Sequence, residues 1–326
     1  MTVVVTGASG HIGGNLVRTL LEQGRKVRAV IHKDTRALED LDVERVTANV
    51  FDPASLRHAF SGAETVYHLA ARISITGEDD QDVIRTNVGG VRNVLDACVA
   101  TKIKRLVHFS SIHAYSSAPM LAPVDEGRHL ALEPFNHAYD RSKAKGQQLV
   151  MQAAREGLSA VIVNPTGVIG PNDFRPSAMG QALLDILNRR LVALVDGGFN
   201  WVDVRDVVRG AMSAEVKGRE GHSYILGGHW ASVREIGKMV HESTGIKPPK
   251  FTSPLWLAQM FVPFAMEYAR VTSSLPLYTY ASLDALRANR NISCDKAKHE
   301  LDYTARPITD TIRNTCHWYK KAGMVR

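Results

Sequence analysis

The stretch "TVVVTGASGHIGGNLV" restricts the fold of this chain more sharply than any other part of it. An apolar run ends at Thr6, three glycines follow at positions 7, 10 and 13, and an amphipathic helical pattern begins at once. Glycines at that spacing let the backbone turn tightly and come close to a bound group, and a helix that starts there offers free N–H groups and partial positive charge. A glycine-rich turn between a strand and a helix therefore predicts a pyrophosphate-binding loop opening a βαβ unit.

The pattern continues along the chain. Short apolar runs, "TVVVT", "VRAVI", "ERVTA", "TVYHLA", "RLVHFS" and "AVIVNP", alternate with helical stretches near 11–23, 79–101 and 136–156. Strand and helix repeated in this way predict an α/β fold, a doubly wound parallel sheet of Rossmann type with helices on both faces. Asp52 followed by Pro53 reads as a helix cap and first helical residue, and Gly24 as the end of the first helix. Regularity drops after "GVIGPND". We expect a dinucleotide-binding domain over 1–170, with 201–227 returning to it, and a smaller, mostly helical C-terminal substrate domain from 171–200 and 228–326. Within "WVDVRDVVRGAM" (201–212), Asp206 reads as the cap of one more helix.

Two further features bear on chemistry. "NHAYDRSKAKGQQLV" sets Tyr139 and Lys143 four positions apart, on one face of a helix. A cation beside a phenol favours phenolate and lowers its pKa, so the pair is a candidate proton donor with its electrostatic partner; taken alone, the spacing also suits an aromatic ring packed on a lysine stem. Where an NAD-specific site would carry an acid at the end of the second strand, His32 and Lys33 stand instead, which suits the 2′-phosphate of NADP; Lys33 also reads as a solvated loop lysine, and Asp34 keeps NAD open.

Composition narrows the partners. Forty Lys+Arg against thirty-three Asp+Glu give +7, but the cations are scattered, which excludes a nucleic-acid track and suits anionic small molecules. Three cysteines, Cys98, Cys294 and Cys316, lie far apart in no ligand spacing, so neither a disulfide framework nor a metal site is expected. No signal-peptide pattern precedes the first strand, and "PLWLAQMFVPFAM", interrupted by Gln259 and Pro263, is too short to span a membrane. A cytoplasmic location is expected.

With "RLVHFSSIHAY" and "VNPTGVIGP" added to the loop and the YxxxK helix, the chain resembles the extended short-chain dehydrogenase/reductase family, and within it the dihydroflavonol-reductase and 3β-hydroxysteroid-dehydrogenase-like branch. The resemblance implies a nicotinamide dinucleotide held by Gly7, Ser9, Gly10, His11, Ile12 and Gly13 at the pyrophosphate. It places His32 and Lys33 near the adenosine ribose, Asn49 and Val50 at the adenine, and Leu69, Ala70 and Ala71 along the cofactor. Pro165 and Val168 fall at the carboxamide. It further implies a catalytic Ser111, with Ser110 as the competing assignment, Tyr139 as general acid, and Lys143 lowering the phenol's pKa and binding the ribose. Asn49 replaces the family's usual aspartate, Asn164 an arginine, and His11 a phenylalanine.

The activity implied is NADP-dependent reduction of a ketone or aldehyde, with NAD as the other cofactor. A nucleotide-sugar epimerase uses the same three residues, and an NADP-sensing regulator without catalysis shares the fold. The region 196–203 shows no arginine for a diphosphate, and "SSIHAY" lacks the acid a dehydratase would need. His113 and His137 flank the centre, as substrate contacts or as pocket histidines. Trp256, Phe261, Phe264 and Tyr268 either wall an apolar carbonyl substrate's pocket or form the core of the smaller domain. Family habit suggests a homodimer through 79–101 and 136–156.

Overall fold

The protein is described from a computed structural model covering residues 1–326, except Lys33, residues 75–80, Leu121, residues 272–278, Ala288, Arg326 and the side chain of Tyr268. The first half alternates as its sequence predicts. β1 (Thr2–Thr6), α1 (His11–Glu22), β2 (Lys26–Ile31), β3 (Glu44–Thr47), α2 (Pro53–Phe60) and β4 (Thr65–His68) lead into α3 (Gln81–Ile84). A π-helical turn, Arg85–Gly90, joins α3 to α4 (Val91–Ala100), and β5 (Arg105–Phe109), α5 (Ala138–Arg155) and β6 (Ala160–Pro165) complete this half. Asp52 caps α2 by accepting from Ala54 N, with proline in the first turn, and Gly24 turns the chain after α1 at φ +72°.

The second half holds β7 (Gly167–Ile169), α6 (Ala178–Leu187), β8 (Leu194–Val195), β9 (Gly198–Asp203), α7 (Val204–Lys217) and β10 (Ser223–Leu226). It continues with β11 (His229–Ser232), α8 (Val233–Thr244), β12 (Thr252–Ser253), α9 (Leu255–Val271), α10 (Tyr280–Ala285), α11 (Asp295–Leu301) and α12 (Ile308–Lys321).

Seven strands form one parallel sheet in the order β10-β6-β5-β4-β1-β2-β3. The order reverses between β1 and β4, where a doubly wound sheet opens its binding crevice at the carboxyl ends of the strands. Two apolar layers hold the sheet. Val3, Val5, Val107 and Val163 join Leu16, Leu20 and Val207 on one side, while Val4, Val66, Leu106 and Ile162 join Leu56, Phe60 and Val94 on the other. Alternate residues of one strand thus serve opposite layers, the signature of a sheet covered on both faces.

A small sheet, β11-β9-β7, and a third apolar cluster around Leu183, Trp201, Ile236, Ile312 and Tyr319 build the other part. Residues 201–203 belong to that small sheet, whereas α7 packs on α1 and β10 joins the large one. The cap of α7 is Asp203, whose side chain accepts from Arg205 N, and not Asp206. Asp206 lies in the first turn, fully buried, and accepts from Arg306 at 2.7 Å and Arg209 at 2.6 Å. Trp256, Phe261 and Phe264 are exposed on α9, so they do not form a core; the side chain of Tyr268 lies outside the described residues. All three cysteines are free and buried. No helix among the described residues is long and apolar enough to cross a membrane.

Candidate active site

The glycine loop is built by its own crowding. Gly7 has φ +67°, and Gly10 N donates to Gly7 O at 3.0 Å. A Cβ on Gly7 would come within 2.8 Å of Ala70 N, and one on Gly13 within 2.1 Å of Gly7 O. Side chains at either position would break the turn that brings β1, α1 and the end of β4 together. Helix α1 starts at Gly10 with no side-chain cap and no acid in its first turn, which leaves its N–H groups and dipole free for an anion. A pyrophosphate fits this cradle. Ser9 and Ile12 are half-buried within it. His11 turns away, its Nε2 3.1 Å from Pro171 O.

Around the adenosine end, His32 is exposed just beyond β2, and Lys33 lies outside the described residues. Asp34 is taken by Arg36, which donates to it at 3.0 and 2.7 Å and holds its carboxyl at about 2. Arg36 is therefore a cation the sequence reading left out, although it stood three residues past Lys33. Asn49 Oδ1 accepts from Phe51 N, so part of its acceptor capacity is committed to its own turn, and Val50 packs against Gly90. Along the inner edge, Leu69 N and Ala70 N both donate to Thr6 Oγ1. Ala70 and Ala71 share a recess with Asn87, His108 and Lys143. Pro165 ends β6, and Val168 lies half-buried in β7.

Ser111, Tyr139 and Lys143 meet at the carboxyl end of β5. Ser111 is hydrogen-bonded to Tyr139 and accepts from His113 N at 3.2 Å, while Ser110 Oγ is buried without a partner among the described residues. Lys143 Nζ donates to Phe109 O at 3.0 Å, inside the protein. Burial pushes the phenol of Tyr139 up to about 12; the Ser111 hydrogen bond pulls the other way, and the Asp140 charge adds to the rise. Burial likewise brings the Lys143 ammonium down to about 8. The lowering of the phenol expected from the four-residue spacing is thus reversed: the lysine's proton is spent on a backbone carbonyl, and desolvation dominates both groups.

Several supports were not legible in sequence. Asn164, noted only as a departure from an arginine, donates to Ser111 O at 2.8 Å and to Gln147 Oε1 at 2.7 Å, tying β5, β6 and α5 together. His113 Nδ1 lies 3.0 Å from Asp140, and its ring stands edge-on to Tyr139 with centroids 5.7 Å apart. His137 reaches Asp284 of α10 at 3.6 Å. A cavity of about 290 Å³ is lined by Asp196, Gly197, Leu255, Leu286, Arg287 and Arg290. Its two arginines come from a distant segment, which is why 196–203 alone showed none. Among the described residues no three His, Cys, Asp or Glu side chains converge on a metal position.

A parallel sheet of this order, with a glycine cradle and a Ser-Tyr-Lys cluster at its carboxyl edge, defines a nucleotide-dependent oxidoreductase or epimerase fold. The chain belongs to the NAD dependent epimerase/dehydratase family, which it matches over residues 3–227. It is 34% identical over 331 positions to sterol demethylase protein B of Methylococcus capsulatus, covering all of both chains. It is 33% identical to a putative dihydroflavonol 4-reductase of Synechocystis, covering 99% of this chain and 95% of that one. Among solved structures, gox2253 superposes with a TM-score of 0.85 at 29% identity, over 100% of this chain and 99% of that one.

Proposed function

We propose that the protein is an NADP-dependent reductase of a ketone or aldehyde on a largely apolar small molecule, with NAD as the weaker cofactor. The observation that carries this reading is the meeting of Ser111, Tyr139 and Lys143 at the sheet edge, next to the glycine cradle. The nicotinamide dinucleotide, when bound, supplies the hydride. Gly7, Gly10 and the start of α1 would hold its pyrophosphate, and His32 with Arg36 would face the 2′-phosphate. Ser111 donates to the carbonyl oxygen as negative charge grows there, and Tyr139 delivers the proton that completes the alcohol. Lys143, fixed on Phe109 O, supplies positive charge behind the phenol while it keeps its proton. Asn164 positions Ser111 through its backbone.

The relatives support a substrate of this class: one is named for a sterol and another for a dihydroflavonol. Arg287 and Arg290 give the neighbouring cavity the charge that an anionic substituent would need, so nucleotide sugars belong in the test. Aromatic and alicyclic ketones and aldehydes should consume NADPH faster than NADH. Tyr139→Phe should lower turnover at least about a hundredfold with cofactor affinity nearly intact, the lower range for losing a general acid. Retained activity in the folded variant would remove Tyr139 from the reaction. Micromolar binding of a UDP-sugar, with epimerised product and no net cofactor consumption, would replace the reductase with an epimerase.

A further inference from the structure

Helix α9 is apolar on two faces and covered on one. Val262 and Ala269 are buried, and Leu255, Ala258 and Met266 pack with Val195, Leu283 and Leu286. Those five residues recur at helical spacing and account for the inward stripe. On the remaining turns Trp256 is 61% exposed, Met260 63%, Phe261 59% and Phe264 73%. A surface helix ordinarily carries polar groups there, as α5 does with exposed Lys145, Gln148, Gln152 and Arg155. The three aromatic rings leave on the order of 400 Å² in water, already the size of the largest patch on a typical monomer. From Met260 to Met266 no side chain offers a hydrogen bond.

The surroundings are cationic. Lys247 and Lys250 stand exposed just before α9, Arg270 closes it, and Arg287 and Arg290 share a cavity with its first residue, Leu255. Against these five are four carboxylates: Asp196 in the same cavity, Glu235 facing Arg290, Glu267 at 3.5 Å from Arg270, and Asp284, which leaves the cations in excess. A relay of contacts runs from the helix toward the candidate site. Gln259 reaches Asp284 at 3.5 Å, and Asp284 reaches His137, the residue just before α5.

We infer that α9 docks on an anionic phospholipid surface, lying in the headgroup region with Trp256, Met260, Phe261 and Phe264 in the acyl boundary and the cations among the phosphates. Its 17 residues lie on the membrane and do not cross it. The charge selects this occupant. A second copy meeting the same face would set the cationic surround against itself, whereas anionic headgroups neutralise it. A lipid surface also asks for no hydrogen bonds from the stripe. Docked this way, the helix that reaches toward His137 lies at the phase into which an apolar carbonyl compound partitions. That purpose rests on the reductase reading, but the binding does not.

Vesicle flotation tests the inference without turnover, so its outcome stands whether or not the reductase reading does. The full chain should float with vesicles of phosphatidylcholine mixed with phosphatidylglycerol, float poorly with phosphatidylcholine alone, and be released by salt. Lys250→Ala should weaken binding about fivefold, the effect of one cation at an anionic surface. Trp256→Gln with Phe264→Gln should weaken it at least about a hundredfold, as expected for withdrawing two large apolar side chains from burial. Failure of the wild-type chain to bind mixed vesicles would overturn the inference. So would a concentration-dependent dimer in sedimentation that the double variant abolishes, since the face would then belong to a second copy.

Discussion

Replacing His108 with phenylalanine should make the protein less sensitive to acid. His68 and His108 lie buried side by side on β4 and β5, ring centroids 5.3 Å apart, under the edge that carries Ser111. Thr6 Oγ1 accepts from two backbone amides, so its own proton goes to His68 Nδ1 at 2.8 Å, which places the ring proton of His68 on Nε2. That Nε2, and Nδ1 of His108, have no partner among the described residues. Burial lowers both rings, His68 to about 3 and His108 well below the usual histidine range, with the Lys143 charge acting in the same direction. Both therefore stay neutral when folded and take a proton when unfolded, below about pH 6.5. Their contribution is fully present above that pH and is lost as pH falls.

At pH 5.5 each ring favours the unfolded chain by roughly 1–2 kcal/mol, and the pair by about 3, against a total stability of roughly 5–15. His108→Phe keeps an aromatic ring and removes a buried Nδ1 that has no partner among the described residues. The variant should be more stable at pH 7.5 by on the order of 1 kcal/mol. It should also lose only about half as much of this term between pH 7.5 and 5.5 as the wild type does. Urea unfolding followed by tryptophan fluorescence at the two pH values measures the difference, and contributions from carboxylates cancel between the two proteins. An equal loss in both would show that His108 is protonated inside the fold.

Because burial places Lys143 near 8 while Tyr139 stays protonated to about 12, kcat/KM for reduction should fall above about pH 8 as the ammonium discharges. Lys143→Arg should flatten that limb even if it turns over more slowly, and a wild-type profile level to pH 9.5 would exclude the lysine's charge from the reaction. Asp206→Asn leaves the half-exposed Arg209, and Arg306, which keeps Asp203 at 3.6 Å, beside a neutral amide, so it should cost about 1–3 kcal/mol in urea unfolding. A loss under 1 kcal/mol would mean that water replaces the pair.

The sheet was legible because its central strands, β1, β4, β5 and β6, are buried on both faces and so read as largely apolar runs. Where two residues satisfied one rule, sequence alone chose badly. "VDVRD" carries aspartates at 203 and 206, either of which makes a chemically good cap; only the packing of Arg306 from beyond α11 decides that 206 turns inward. The convergence of Ser111, Tyr139 and Lys143 was legible because their spacing is local and their order along the chain is distinctive. The electrostatics were not, because the sign of a pKa shift depends on how much protein surrounds a group. No one-dimensional spacing contains that.

The two parts of the site differ in how strongly the fold determines them. Strand β5 supplies Ser111 just past its end and, two residues earlier, the Phe109 carbonyl that holds Lys143, so one strand terminus fixes both the hydrogen-bond donor and the cation. Helix α5 contributes Tyr139, Lys143 and Gln147 from a single rigid element, and Asn164 on β6 bonds to both neighbours at once. Displacing β5 or β6 would disturb the sheet register itself, so the geometry of the candidate site is tied to the stability of the fold. The cavity of Arg287 and Arg290 and the exposed stripe of α9 are held instead by small clusters and single side-chain contacts such as His137–Asp284. We propose that the segments 171–200 and 228–326, where the sequence is least regular, select the substrate.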